Sequence, residues 1–243
     1  MEVFILRMTP YRERDYIITS ISNEGLVTFK AVGLSRPNAK LAGTVTLYSL
    51  IDVELEEKKT GLVLVNAVPI SKNYKIISDY LRLSVLNFIG EVTLRLLHDE
   101  SEISQAYPFI KKAVLTLEQA FSPATLAYIV LTKVLIAAGY GLDVNRCIYC
   151  QTRQDILGIN YVNGGFVCRK DLVHEHDERL SVEQLNMVRF SFLVPEDQMV
   201  KTEFSINSLI PLFESLVNYY EEHAGLKLRS YSLFLQSLKQ QHS

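Results

Sequence analysis

The sequence predicts an α+β protein in which an N-terminal β-barrel is followed by an α-helical domain with a zinc-ribbon-like insertion. Up to about residue 70, short runs rich in β-branched residues alternate with turn-forming groups. From about residue 75, apolar residues recur at the spacing of a helix. All three cysteines of the 243-residue chain fall within one segment. We therefore predict a barrel domain in residues 1–72 and a helical domain in residues 73–243, with the insertion at about 145–176.

The composition, with 48% hydrophobic and 21% charged residues, is that of a globular chain with a hydrophobic core. The formal net charge of −2 does not indicate a nucleic-acid binder, so any such role depends on a local basic patch. Three cysteines are too few for a disulfide framework, and no secretory signal pattern opens the chain. The most apolar stretch, residues 124–139, is interrupted by Lys133 and is too short to cross a bilayer. We therefore expect a cytoplasmic protein without a membrane span.

Five short strands are predicted in the first part of the chain. They cover residues 3–7, 16–21, 25–32, 44–55 and 62–68. Polar and glycine-containing groups of the kind that form turns separate them. Five strands within about 70 residues fit a small closed barrel, and the OB-fold is the commonest barrel of that strand count. An SH3-like barrel fits the pattern almost as well.

Helical segments are predicted for the rest of the chain. They comprise a long helix with apolar positions from Ile77 to Leu97, then helices at 110–117, 122–139, from 181 onward and at 205–225. Ser122 and Pro123 are typical of a helix N-cap and first turn. Gly225 is a favourable C-cap, because glycine adopts the left-handed conformation that often ends a helix.

The cysteines define a candidate metal site. Cys147 and Cys150 form a Cys-x-x-Cys knuckle, and Cys168 and Asp171 occupy a second pair of positions with the same spacing. Thiolates that converge from two such knuckles bind zinc tetrahedrally. A glycine pair shortly before Cys168 can turn a hairpin back toward the first knuckle. The pattern predicts one structural zinc ion, with Asp171 in the place of a fourth cysteine.

Alternatives for this segment stay open. His174 or His176 could supply the fourth ligand instead, or the hairpin could be held by packing alone, with free thiols. A catalytic zinc site, as in a metal-dependent hydrolase, is disfavoured, because the zinc deaminases need His-x-Glu before Pro-Cys-x-x-Cys and the order is reversed here. The chain also lacks the glycine-rich phosphate loops and the nucleophile elbow of common enzyme families. We therefore predict that the protein is not an enzyme.

Three segments resemble the RecO family of bacterial recombination mediators, in order along nearly the whole chain. They are residues 11–43, 138–168 and 228–235. The first contains a Gly-x-x-Arg turn at Gly33–Arg36, the second contains the glycine–tyrosine approach to the cysteine knuckles, and the third is similar to the closing helix of the family. Two positions depart from the family pattern: Asp171 replaces a cysteine, and Val32 stands where a basic residue often precedes the glycine.

The resemblance implies an N-terminal OB-fold, a zinc-binding module in the helical domain and a place in the bacterial cytoplasm, associated with the nucleoid. It also implies binding of single- and double-stranded DNA, annealing of complementary strands, and cooperation with RecR in loading RecA onto strands covered by single-strand binding protein (SSB). A groove for the acidic, apolar-ended SSB tail is expected, with a basic rim supplied by Lys111, Lys112, Lys133 or Arg189. The alternative is an OB-fold nucleic-acid-binding protein of RNA metabolism or transcription, which a preference for structured RNA without annealing would favour.

Basic residues around two predicted barrel turns give a hypothesis for the DNA site. We expect a groove for the DNA backbone that is lined by Arg12, Arg14, Lys30, Arg36 and Lys40. Tyr11 or Tyr16 offers an aromatic surface on which a base could stack. Glu13 and Asp15 are expected to interrupt the basic face or to pair with the two neighbouring arginines.

Overall fold

The computed structural model describes residues 1–71, 76, 78–120, 122–225 and 227–240. Within these residues a closed five-stranded barrel precedes a helical domain, and a small three-stranded sheet is inserted into the latter. The predicted fold class is therefore confirmed. The predicted boundary between residues 72 and 73 and the predicted helical position Ile77 lie outside the described residues, so the boundary stays a prediction.

The barrel consists of β1 (Glu2–Tyr11), β2 (Asp15–Ser22), β3 (Gly25–Ala31), β4 (Leu50–Lys58) and β5 (Gly61–Ser71). The strand order is β1-β2-β3-β5-β4, and β1 pairs with β4 to close the barrel. β3 and β5 are parallel and meet at Lys30 and Val63. This connectivity is that of the predicted OB-fold. The interior is filled by alternate apolar residues of the strands, among them Val3, Ile5, Ile18, Phe29 and Val53.

The predicted strand over residues 44–55 is wrong at its start, because β4 begins only at Leu50. The hydroxyl of Ser49 donates a hydrogen bond to the carbonyl oxygen of Thr46 at 2.7 Å. Tyr48 has a φ of +61°, in the left-handed region that no strand uses. The residues before β4 therefore form turns, since a short polar side chain that bonds to nearby backbone competes with the strand ladder.

The helical domain is built from α1 (Tyr80–Leu96), α2 (Glu100–Thr116), α3 (Pro123–Ala137), α4 (Val182–Leu193), α5 (Ile206–Ala224) and α6 (Arg229–Gln240). Short 3₁₀ turns lie at Leu117–Gln119 and Glu196–Lys201. The two predicted caps are confirmed: the Ser122 side chain accepts a hydrogen bond from Thr125 N–H, and Gly225 has a φ of +65°. No helix within the described ranges combines the length and apolar character that a membrane crossing needs.

One outer face of the barrel packs into the helical core. The barrel residues in that core are Phe4, Leu6, Ile21 and Leu50. At the edge of the contact, Glu2 accepts a hydrogen bond from the Tyr107 hydroxyl at 2.8 Å and pairs with the Lys111 ammonium at 2.9 Å. Burial and the adjacent carboxylate raise the pKa of Tyr107, so this phenol remains a donor. The barrel is thereby fixed against α2.

The insertion contains β6 (Ile156–Asn160), β7 (Gly165–Cys168) and β8 (Asp177–Arg179), in the order β7-β6-β8. Asn160 is fully buried, and its amide donates to Asp177 Oδ1 at 2.7 Å, which joins β6 to β8. Cys168 is the last residue of β7. This small sheet therefore sets the position of one predicted metal ligand.

Candidate functional site

Two turns lie side by side at one end of the barrel: the β1–β2 turn and the loop that follows β3. The Ser35 N–H donates to the Arg14 carbonyl oxygen at 3.2 Å. The Gly33 N–H donates to Asp15 Oδ1 at 2.8 Å. These two hydrogen bonds tie together the segments that carry the predicted DNA-binding cations.

Asp15 has a different role from the one that the sequence indicates. Its carboxylate pairs with the Lys30 ammonium at 3.3 Å, rather than with either neighbouring arginine, and its side chain is only 13% exposed. The Gly33 N–H, followed by Lys30, holds the pKa of Asp15 below its usual range. Asp15 therefore stays ionised near neutral pH and connects the end of β3 to the loop beyond it. Of the two alternatives expected for Asp15, pairing with Arg12 or Arg14 is wrong, because its carboxylate pairs with Lys30.

Tyr11 is the exposed aromatic residue at this end of the barrel. Its ring is flanked by the Lys30 ammonium, 4.9 Å from the ring centroid, and by the Arg12 guanidinium carbon, 5.3 Å from it. Both distances are those of cation–π contacts. Tyr16, the other candidate, is half-buried and packs against the barrel core. Tyr11 is therefore the more exposed of the two candidates, and a base that stacks on its ring would share it with these two cations.

Arg36 and Lys40 lie on the loop after β3, which is a succession of tight turns. The Arg36 N–H donates to Gly33 O at 3.0 Å, and Asn38 has a φ of +63°. Gly33 itself has a φ of +69°, a conformation that favours glycine, and a Cβ there would lie 2.8 Å from Arg36 Nε. The Arg36 side chain therefore lies against the backbone of Gly33.

The cations of this surface are largely uncompensated. In the described part of the chain, Lys30 has a carboxylate partner, whereas Arg12, Arg14, Arg36 and Lys40 form no ion pair. All four unpaired residues are exposed. A chain with a net charge of −2 thus has a locally basic surface at this end of its barrel.

The four predicted metal ligands meet in the insertion. One ligand atom from each of Cys147, Cys150, Cys168 and Asp171 lies within 4.8 Å of all the others. Asp171 Oδ2 is 3.2 Å from Cys147 Sγ and 3.3 Å from Cys168 Sγ, and the Sγ atoms of Cys150 and Cys168 are 3.6 Å apart. Ligands about 2.3 Å from a tetrahedral zinc ion are about 3.8 Å from one another. The residues present therefore fit such an ion.

The hairpin between the knuckles is shaped by the predicted glycine pair. Gly164 has a φ of +85°, and a Cβ on Gly165 would lie 2.3 Å from the Asp143 carbonyl oxygen. A side chain at either position would open the turn that brings Cys168 back to the first knuckle. His174 lies with its ring 4.2 Å from that of Tyr149, and neither His174 nor His176 belongs to the cluster. Asp171 is the fourth member.

In the absence of a cation, the cluster favours a protonated Cys150 thiol beside an ionised Asp171 carboxylate. The Asp171 carboxylate and the neighbouring thiols raise the pKa of Cys150 to about 12. The same thiols, Cys150 first, hold the pKa of Asp171 below its usual range. A dication that replaces the thiol protons would be bound by one carboxylate and three thiolates.

Three of the four lysines and arginines predicted to form the rim of an SSB-tail groove have structural partners instead. Lys133 is buried, donates to Phe192 O at 2.9 Å, and has its pKa lowered by burial to about 8. Arg189 donates to Val144 O at 3.0 Å. Lys111 forms the interdomain ion pair with Glu2. These contacts leave only Lys112 from that set without an assigned structural role.

A groove that sequence reasoning missed lies between α1 and α6. It has a volume of about 240 Å³ and is mainly apolar. Tyr80 and Leu233 on its walls are 53% and 56% exposed, and Arg229 lies at its edge. Leu233, an apolar residue of α6 that lies outside the stripe packed into the core, is the sequence signal that could have indicated it.

Comparison with known proteins assigns both halves of the chain to one family. The family model described as "Recombination protein O N terminal" matches residues 1–74. The model described as "Recombination protein O C terminal" matches residues 77–232.

Curated relatives match along most of the chain. The protein named DNA repair protein RecO from Halalkalibacterium halodurans is 20% identical over 232 residues, which cover 94% of this chain and 91% of that protein. The protein of the same name from Bacillus subtilis is 22% identical over 233 residues, with the same two coverages. The one from Streptococcus thermophilus is 23% identical over 180 residues, or 73% of this chain and 68% of that protein.

Proposed function

Because the chain belongs to the recombination protein O (RecO) family, we propose that it is a repair factor that binds single- and double-stranded DNA and anneals complementary strands. The proposed DNA site is the turn end of the barrel, which is formed by the β1–β2 turn and the loop after β3. Its relatives are named DNA repair proteins. The observation that carries the proposal is a set of exposed cations on two hydrogen-bonded turns, beside an exposed tyrosine. Within the described residues, four of these cations form no ion pair.

The mechanism requires no bond to be made or broken. Arg12, Arg14, Arg36 and Lys40 neutralise phosphates, and the release of counterions supplies the free energy. Lys30 is already paired with Asp15, so its main contribution is to hold the Tyr11 ring and the loop in place. A base stacked on Tyr11 would present its Watson–Crick edge to a second strand, which is the arrangement that annealing requires.

The proposed partners follow from the family. With RecR, the protein would help to load RecA onto single strands covered by SSB. We assign the SSB tail to the groove between α1 and α6, since an acidic peptide with an apolar end needs an apolar cleft beside a cation. Leu83 and Leu233 line that cleft, and Arg229 is exposed at its edge.

A labelled acidic peptide with an apolar C-terminus tests this assignment by fluorescence anisotropy. Arg229→Glu should weaken binding at least about tenfold, because it replaces the attractive charge by a repulsive one. Lys201→Glu makes the same charge change at an exposed position outside the groove and should have little effect. Equal loss in both variants would remove the groove from the proposal.

A structural zinc ion is proposed for the cysteine cluster, held by Cys147, Cys150, Cys168 and Asp171. When bound, it would supply a cross-link between the two knuckles and no reaction. The protein's own residues already support that role, because three ligands are buried or half-buried and the glycine turn fixes Cys168. We propose no catalytic activity for the protein.

Annealing of two complementary labelled strands that carry SSB tests the function. Addition of the protein should accelerate annealing, and added salt should reduce the effect. Arg36→Glu/Lys40→Glu should abolish most of the acceleration. Binding to bare DNA without any acceleration would contradict the annealing role. Preferential binding of structured RNA would favour the alternative of a barrel protein in RNA metabolism or transcription.

A further inference from the structure

The loop after β3 forms a groove that is lined in part by two of the proposed phosphate-binding residues, Arg36 and Lys40, and in part by apolar residues that the DNA-backbone proposal does not use. Its volume is about 300 Å³, at the small end of the range of about 300–1,000 Å³ in which proteins bind small molecules. Val32, Leu41 and Leu64 belong to the apolar part of its lining, and the other part is polar. Leu41 and Leu64 also pack against the barrel core, so this side of the groove is fixed by the fold.

Three polar residues line the groove, and their side chains have no partner in the described part of the chain. They are Arg36, Asn38 and Lys40. None of these side chains makes a hydrogen bond or ion pair to any other described residue, and all three are exposed. They are therefore available to a ligand, whereas Lys30 at the neighbouring turn is bound to Asp15.

Val32 is an exposed apolar residue of the lining. Its side chain is 54% exposed. A basic residue at this position would give one more phosphate contact, whereas valine offers a surface that a phosphate cannot use. The groove thus combines an apolar wall with positive charges and one amide, a combination that suits an aromatic heterocycle attached to a phosphate chain.

We propose that this groove takes up one unpaired nucleobase of a bound DNA strand. Arg36 and Lys40 contact the phosphates on either side of that nucleotide, and the Asn38 amide, which can donate and accept, bonds to the base edge. A base in a duplex cannot enter without unpairing, so the groove favours single strands over duplex. This inference rests on the proposed DNA-binding function, and it gives a physical reason for tighter binding of single strands than of duplex.

The test compares an ordinary single strand with one of equal length made of abasic sites. Both carry the same phosphates, so only contacts to bases distinguish them. The native protein should bind the ordinary strand at least about fivefold more tightly, the effect of about 1 kcal/mol from one base contact. Ala39→Leu fills the groove without a change of charge, and Asn38→Gly removes the amide while keeping a φ that glycine tolerates. Both variants should lose most of the preference and keep the salt dependence of binding.

Tyr11→Leu separates the groove from the stacking surface. If the groove takes up a base, Tyr11→Leu retains part of the preference for the ordinary strand, while Ala39→Leu and Asn38→Gly each reduce it. If Tyr11→Leu abolishes the preference and the two groove variants keep it, the base lies on Tyr11 and the inference is overturned. An absence of salt-dependent binding to either strand would instead contradict the proposed function itself.

Discussion

The barrel turns and the cysteine insertion are built in opposite ways. In the insertion, the ligand atoms converge within 4.8 Å and three of the four residues are buried or half-buried. At the barrel end, the cations are exposed and stand on turns that two hydrogen bonds hold together. A coordination site needs convergence, which sequence spacing can encode. A phosphate-binding surface needs only that exposed positive charges lie on the same face of the molecule. Which charges share a face depends on how the loops pack.

The largest effect is expected from Cys147→Ser, because Cys147 is fully buried within the cluster. A metal present at about 1,000 times its dissociation constant adds about 4 kcal/mol to the free energy of unfolding, and the variant should lose most of that. Zinc content and thermal unfolding, each measured with and without a chelator, check it. The chelator should lower the Tm of the native protein only; a chelator-insensitive native Tm would show that packing alone holds the insertion.

Lys133 is a buried cation, in contrast to the exposed cations of the barrel, and its burial should make the stability of the protein depend on pH. Burial lowers its folded-state pKa to about 8, below the 10.5 that it has when unfolded. Between these values the unfolded chain binds more protons at this lysine, so its contribution to the free energy of unfolding should rise with pH, by at most about 1.4 kcal/mol per pH unit. The raised pKa of Cys150 and of buried phenols such as Tyr107 acts in the opposite direction in this pH range. The test is therefore the difference in free energy of unfolding between the native protein and Lys133→Met, measured by denaturant titration, which should rise with pH between the two pKa values of Lys133. A difference that does not change with pH would assign the pH dependence to other groups.

Asp171 tests whether the fourth place in the cluster is a ligand. Loss of a residue that only supports a metal ligand weakens metal binding by about 10- to 100-fold. Because Asp171 is proposed to be a ligand itself, Asp171→Asn should weaken zinc binding by at least as much. Asp171→Cys, which completes the set of four thiolates, should bind zinc at least as tightly as the native protein. Competition with a chromophoric chelator measures both. Equal affinity in the asparagine variant and the native protein would exclude the carboxylate as a ligand.

Substitution of Asp15 is expected to have the smallest effect on DNA affinity. Comparison of two variants shows whether Asp15 acts by positioning the loop or through its charge. Asp15→Asn keeps an oxygen that can accept from Gly33 N–H, whereas Asp15→Ala frees the loop. Loss of one hydrogen bond costs about 0.5–1.5 kcal/mol, so the alanine variant should bind single strands roughly 2- to 10-fold more weakly than the asparagine variant. Both variants remove one negative charge. Equal affinities would mean that Asp15 acts only through its charge.

Sequence reasoning predicted the insertion better than the barrel surface. The spacing of three cysteines and the glycine pair were sufficient to indicate the knuckles, because tetrahedral ligands and left-handed turns restrict the residue types. The start of β4 was not predictable from β-branched composition, since the Ser49 hydroxyl diverts the chain into turns.

Partners of charged residues were the least predictable feature. The proximity of Asp15 to two arginines along the chain gave no indication that β3 brings Lys30 and Gly33 to it. The position of Lys133 was used only to argue against a membrane span. It also indicated burial, because a residue that interrupts the most apolar stretch of the chain lies inside the core. Both cases depend on tertiary packing, which places residues that are far apart in sequence next to each other.

The central claim, that DNA binds at the turn end of the barrel, is tested most directly by affinity for single strands as a function of salt. Arg36→Glu/Lys40→Glu should weaken binding and reduce the slope of log affinity against log salt by about 1.4, at about 0.7 for each phosphate contact on a single strand. Arg153→Glu/Lys201→Glu, the same charge change at exposed positions of the helical domain, should leave the slope nearly unchanged. Native affinity and slope in the barrel variant would contradict the claim.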